Sequence, residues 1–154
     1  MAPVSNDIGP LIKALNTEIQ KAINNRLAQS SPDRPALTSA QAELLMYLVR
    51  HHDKVIFQSD LESVFNLSRP TINGLVKRLK EAGMVAVVPT PADKRYKQIM
   101  MTATARREMI AHQPEFDAQV QALEQAMTTG MTADEVAELH RLLRLMLHNL
   151  KNEA

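Results

Sequence analysis

The sequence predicts a mainly α-helical fold that carries one small β-hairpin. Three observations support this. Apolar residues recur at spacings of three and four along most of the 154 residues. Ser or Thr stands three residues ahead of Gln or Glu at several element boundaries, the reciprocal pairing that caps a helix N-terminus. Residues 84–101 break the helical period and read instead as two short runs around a proline-rich turn. Aromatic residues make up only 3% of the chain, fewer than a β-sandwich or a base-stacking RNA platform normally needs.

The elements follow in order. Residues 1–10 are polar with two prolines and predict a loose start. From Ile8, the apolar positions Leu11, Ile12, Leu15, Ile19, Ile23 and Leu27 form a near-heptad seam, which predicts one helix to about Ala28. Prolines between Ser30 and Pro35 predict a break. Thr38 with Gln41 is a capping box for a helix to about His52, with Leu44, Leu45 and Leu48 inward. Asp53 to Gln58 reads as a turn containing a short extended piece, Val55-Ile56-Phe57. Ser59 with Glu62 is a second capping box, starting a short helix to about Phe65.

Ser68 is an N-cap, and Pro70 falls in the first turn, where its missing N–H costs nothing. That helix runs through Lys80 and ends at Gly83, a suitable C′ residue. Met84 to Val88 predicts a strand, Pro89 to Asp93 a turn and Tyr96 to Met101 the return strand. Thr102 caps a long helix to about Thr128 that carries Met109, Phe116, Val120, Leu123 and Met127. Pro114 inside it predicts a kink, and Gly130 ends the segment. Thr132 with Glu135 caps a last helix bearing Val136, Leu139, Leu142, Leu143, Met146, Leu147 and Leu150.

A short helix, a tight turn, a longer helix and a basic hairpin together make a winged helix-turn-helix. The expected division is a dimerisation helix in residues 1–35, a winged helix-turn-helix DNA-binding domain in 36–101, and C-terminal dimerisation helices in 102–154.

Charge is distributed unevenly. Residues 66–107 hold nine basic and two acidic residues, a net +7, while the rest hold nine basic and fifteen acidic, a net −6. That asymmetry is the footprint of a nucleic-acid patch on an acidic body. Cysteine is absent, which removes disulfides, thiolate zinc sites and thiol switches. No apolar run reaches membrane-spanning length and no signal-peptide core is evident, so a soluble cytoplasmic protein with no membrane partner is expected. Four glycines, Gly9, Gly74, Gly83 and Gly130, build no phosphate-cradling loop, dinucleotide fingerprint or nucleophile elbow, so the chain does not read as an enzyme. No cofactor and no metal site are expected. His51 and His52 are adjacent and do not share a helix face.

At 100° per residue, Ile72, Leu75, Val76 and Leu79 form one stripe of the central helix and must face the body. Pro70, Asn73, Gly74, Lys77 and Glu81 lie opposite, flanked by Thr71 and Arg78. This face is short-chained near the N-terminus and basic further along, which suits entry into a major groove N-terminus first. Thr71 and Asn73 can meet base edges, Gly74 permits close approach, and Lys77, Arg78 and Lys80 can neutralise phosphates. Ser68 and Arg69 sit at the leading end, where Arg69 can reach a guanine or a phosphate. Glu81 belongs at the rim. In the hairpin, Lys94, Arg95 and Lys97 project cations, and Asp93 can orient Arg95 toward a minor groove. A solvated surface helix and hairpin turn is the plainer reading. The capped turn, the short helix ahead of it and the basic hairpin behind it favour a reader in combination.

Leu61-Glu62 through Val85, then Asp93-Lys94-Arg95, then Met101-Thr102, resemble the MarR family of bacterial transcriptional regulators. The matching features are Ser68 at the recognition-helix cap, Arg78-Leu79, Gly83-Met84, the Asp93/Arg95 wing and Met101-Thr102. Ala105 departs from the glycine often found there. The resemblance implies a homodimer with one winged helix per subunit, its first and last two long helices interlocked. It further implies a repressor that binds a palindromic operator in double-stranded DNA and is released by a small aromatic or phenolic effector. His51, His52 and His112 are candidate effector contacts. A winged helix used purely for protein interaction is the alternative; the +7 segment argues against it.

Overall fold

The computed structural model describes residues 5–29 and 37–153. The expected proline break at Ser30–Pro35 lies outside the described residues, as do residues 1–4 of the expected loose start, which is shorter than residues 1–10 because α1 already begins at Ile8. Six helices and one hairpin follow in the order α1 (Ile8–Gln29), α2 (Ser39–Arg50), α3 (Gln58–Phe65), α4 (Arg69–Glu81), β1 (Val85–Thr90), β2 (Asp93–Met101), α5 (Ala103–Met127) and α6 (Ala133–Asn152). The chain forms two compact units, Met1–Gln119 and Val120–Ala154.

In the first unit, α2, α3 and α4 enclose the core. Leu44, Leu45, Met46, Leu61, Ile72 and Leu79 are its largest fully buried side chains. Each such burial contributes roughly 1.5–3 kcal/mol. Ile56, Met84, Val85, Ile99 and Met109 complete the cluster from the loops, the hairpin and α5. Helix α1 is tied to α2 by polar contacts. Asn24 accepts the Ser39 N–H at 3.0 Å, and Gln20 accepts the Ser39 hydroxyl.

Local capping sets most boundaries. Thr38 accepts the Gln41 N–H while Gln41 takes the Thr38 N–H, the reciprocal box expected there, although α2 ends at Arg50 rather than near His52. Ser68 accepts the Thr71 N–H at 3.4 Å with Pro70 in the first turn of α4. Asn66, at φ 51°, closes α3 in the left-handed conformation, which a short polar residue tolerates, and so makes the turn between α3 and α4. Gly83, at φ +71°, reverses the chain after α4 as expected of a C′ glycine.

Two boundaries differ from expectation. Helix α3 starts at Gln58, not at a Ser59 cap. The Asp60 carboxylate takes the Phe57 N–H at 2.8 Å, and the Ile56 carbonyl accepts the Ile99 N–H at 2.8 Å. The chain is therefore pinned to β2 just before Phe57, and the first helical turn falls two residues early, with Phe57 rather than Ser59 at the cap. The expected strand Val55–Phe57 reduces to a single bridge, Phe57 to Gln98.

The hairpin is also longer than expected. Strand β1 continues through Pro89 to Thr90, and β2 begins at Asp93. A two-stranded ribbon leaves each strand with an open edge, so the missing N–H of Pro89 leaves no partner unsatisfied there. The register shifts between Pro89 and Thr90, where pairing jumps from Lys97 to Asp93.

Helix α5 runs through Pro114 as one element. In the second unit, Thr132 and Glu135 cap α6 reciprocally at 2.8 and 3.2 Å. No residue of α6 is buried, and none of α1. Among the described residues, no helix is long and apolar enough to cross a membrane.

Candidate nucleic-acid interface

Helix α4 divides as its periodicity demands. Ile72, Leu75, Val76 and Leu79 are buried, at 0%, 8%, 4% and 0% exposure. Ser68, Arg69, Pro70, Thr71, Asn73, Lys77 and Arg78 are exposed, and Gly74 is half-buried. Lys77 leans toward Glu81 at 4.0 Å, which keeps that carboxylate beside a cation on the outer face. Arg69, Arg78, Lys80, Lys94 and Lys97 make no ion pair among the described residues. Solvent-exposed cations without internal partners are available to an anionic partner from outside the chain.

Nothing lies within 4 Å of a Cβ built on Gly74. The fold therefore does not require glycine there, although glycine inside a helix costs roughly 0.5–1 kcal/mol relative to alanine. Close approach by something external to the chain is the physical use left for it.

The hairpin is braced close to its turn, where it also carries its charge. Phe57 and Tyr96 pack edge to face at 6.0 Å between ring centres, and the Thr90 hydroxyl donates to the Tyr96 carbonyl at 2.8 Å. The Arg95 guanidinium grips Asp93 through Nε at 3.0 Å and Nη2 at 2.8 Å, while its backbone N–H donates to the same carboxylate at 3.0 Å. The Arg95 side chain, and then its backbone N–H, hold the Asp93 carboxyl below its ordinary range, and Arg95 is held even more firmly charged. Lys94 and Lys97 are exposed alongside.

Reader and hairpin border one concave surface. Gln58, Arg69, Asn73, Arg95, Tyr96 and Lys97 are among its lining residues. Gln58 is the residue that sequence reasoning missed: its side-chain amide donates to the Asn73 carbonyl oxygen. Had α3 been started at Phe57, Gln58 would have appeared in its first turn.

The three histidines do not converge. His51 Nδ1 lies 2.9 Å from the Tyr47 carbonyl, with the His51 ring stacked on Tyr47 at 4.2 Å. His52 Nδ1 lies 3.1 Å from the Val49 carbonyl, and both histidines border a cleft with Arg106. His112 lines a separate apolar cavity with Leu27, Met46, Met109 and Phe116, 3.9 Å from Glu115. Among the described residues, no group of three or more metal-ligating side chains comes together.

Comparison with known proteins follows the same lines. A family model described as MarR family matches residues 37–95, which take in α2, α3, α4 and the hairpin through Arg95. The winged helix-turn-helix of this chain is similar to that of the MarR family. It is 29% identical over 108 residues to the HTH-type transcriptional repressor IacR of Pseudomonas putida, covering 70% of this chain and 61% of that protein. A crystal structure of a mutant MarR from E. coli complexed with operator DNA aligns with a TM-score of 0.72 at 28% identity, over 91% of this chain and 93% of that one. The MepR–DNA complex of S. aureus aligns at 0.79 and 21% identity, over 95% and 99% of the two chains, and shares the fold. The relatives it resembles include one named as a transcriptional repressor and one named as a transcription regulator.

Proposed function

We propose that this chain is a transcriptional regulator that binds a palindromic operator in double-stranded DNA as a homodimer, in the cytoplasm, and acts as a repressor. The single observation that carries the reading is the exposed face of α4 and the hairpin, where five cations lack a partner among the described residues beside an Asn/Thr/Gly reading surface. In this reading Ser68, Arg69, Thr71, Asn73 and Gly74 meet the major groove. Lys77, Arg78 and Lys80 meet phosphates, and Lys94, Arg95 and Lys97, oriented by Asp93, meet the flanking backbone or minor groove.

Residues 36–101 supply the reader, and 1–35 with 102–154 supply the dimer contacts. The support is the uncovered apolar seam on each terminal helix. Ile8, Leu11, Ile12 and Leu15 of α1 are exposed, as are Leu142, Leu143, Leu147 and Leu150 of α6. A second copy would cover such stripes.

Release by a small aromatic or phenolic effector belongs to the same proposal. The apolar cavity at His112 draws on α1, α2 and α5. It holds about 60 Å³, against roughly 300–1,000 Å³ for a small-molecule site, so an effector would have to spread these elements. His51 and His52 would act only through the separate cleft.

Selection from a random duplex pool tests the proposal. The expected product is an inverted repeat with half-sites about one helical turn, roughly 34–36 Å, apart. A pool that enriches no sequence refutes it.

A further inference from the structure

We propose that Gln58 is a positioning residue that sets which bases Asn73 selects. The proposal rests on the DNA-binding reading above and deepens it.

The two residues are fifteen positions apart, on different helices of the helix-turn-helix. Gln58 opens α3 and is half-buried, whereas Asn73 stands exposed in the second turn of α4. The Gln58 Nε2 donates to the Asn73 Oδ1. This hydrogen bond removes an ambiguity. A free asparagine offers one acceptor and two donors and can present either edge; with both it pairs adenine at N6 and N7. With Oδ1 engaged by Gln58, Asn73 turns Nδ2 and its hydrogens outward. A side chain that presents its donors outward matches base edges made of acceptors: guanine N7 and O6, or thymine O4.

The surroundings keep the arrangement in place. Gln58 sits just after the Phe57 N–H that Asp60 takes, and Phe57 bridges Gln98 and packs on Tyr96. The amide is therefore fixed by the junction of α3 with the hairpin. Arg69 and Arg95 border the same concavity, so the oriented donor shares it with two cations able to hold the DNA backbone.

The test measures base preference at every half-site position for the full-length protein and for Gln58→Ala, Gln58→Glu, Asn73→Ala and the Gln58→Ala/Asn73→Ala double variant, each checked for unchanged helicity by circular dichroism. Wild type should prefer guanine or thymine at one position. Gln58→Ala and Asn73→Ala should each reduce discrimination at that same position by about tenfold, and the double variant should lose no more than either alone. The carboxylate introduced by Gln58→Glu can only accept, so it should draw in Nδ2, turn the Asn73 carbonyl outward and shift preference toward cytosine or adenine, whose exocyclic amines donate. Gln58→Ala that keeps the wild-type preference, or variants that weaken all sequences equally, would overturn the role of Gln58 alone. A wild-type protein with no preference at any position would overturn the regulator reading itself.

Discussion

The Thr102 hydroxyl donates to the Gly83 carbonyl at 2.9 Å and accepts the Ala105 N–H at 3.3 Å. The Thr102 backbone N–H adds a bond to the Met84 carbonyl at 3.0 Å. One residue thereby caps α5 and fastens it to the end of the reading helix. Thr102→Val keeps the shape but removes both side-chain bonds. It should lower the unfolding free energy by about 0.5–2 kcal/mol, and Thr102→Ser should restore most of it. Urea denaturation of the three proteins checks this; an unchanged midpoint for the valine variant would show the bonds to be incidental.

Gly74 separates stability from function. Because nothing in the chain occupies the space at its Cβ, Gly74→Ala should stabilise the fold by about 0.5–1 kcal/mol. The added methyl should also obstruct the approach of DNA. A raised melting temperature with weakened operator binding is the expected pair of results. A variant that gains stability and binds DNA equally well removes the case for close approach at this position.

The Asp93–Arg95 pair makes a prediction that simple charge counting reverses. Removing an acid beside DNA should strengthen binding if only net charge matters. If Asp93 instead aims Arg95, Asp93→Asn should weaken binding by about fivefold. Arg95 holds the Asp93 carboxyl below its ordinary value of 3.8. A depressed carboxylate pKa means the pairing is fully present above that ordinary value and disappears only as pH falls through the folded-state value. The Arg95 Nε–H resonance should therefore stay put from about pH 8 to pH 5 in wild type, and sit at a different, equally pH-independent position in the asparagine variant, which has no carboxylate to accept it. Titration of that resonance with a midpoint above 3.8 would contradict the pairing.

Helix α6 should not tolerate charge on its apolar stripe. Leu142, Leu143 and Leu147 are 42%, 40% and 51% exposed in the single chain. Leu143→Arg buries a charge if a second copy covers the stripe, and costs little if the stripe faces water. Sedimentation velocity should find wild type dimeric and the arginine variant shifted toward monomer at micromolar concentration. A monomeric wild type would leave the stripe without that role.

What could be read from the sequence was local. The stripe Ile72, Leu75, Val76, Leu79 and the boxes Thr38/Gln41 and Thr132/Glu135 depend on residues within one or two helical turns, and the structure follows them. The Ser59/Glu62 box satisfied the same local rule and was overridden. Asp60 caps Phe57, and the Ile56–Ile99 bond, between segments far apart in the chain, pins the backbone ahead of it. The length of β1 was hidden because Pro89 ends a strand only where its N–H is needed, and a two-stranded ribbon does not need it. The cation-bearing face of the site was legible from helical projection. The Gln58–Asn73 bond and the separation of His112 from His51 and His52 were not, because both depend on how distant elements pack.

The central claim is that α4 and the hairpin form an electrostatic and base-reading surface for duplex DNA. Binding of the selected duplex across a salt series tests it most directly. The account predicts a steep fall in affinity, about 10³–10⁵ between 50 and 200 mM salt for six to ten neutralised phosphates, and a slope shallower by about one in Lys77→Ala. Affinity that does not change with salt, or no binding at any salt concentration, would contradict it.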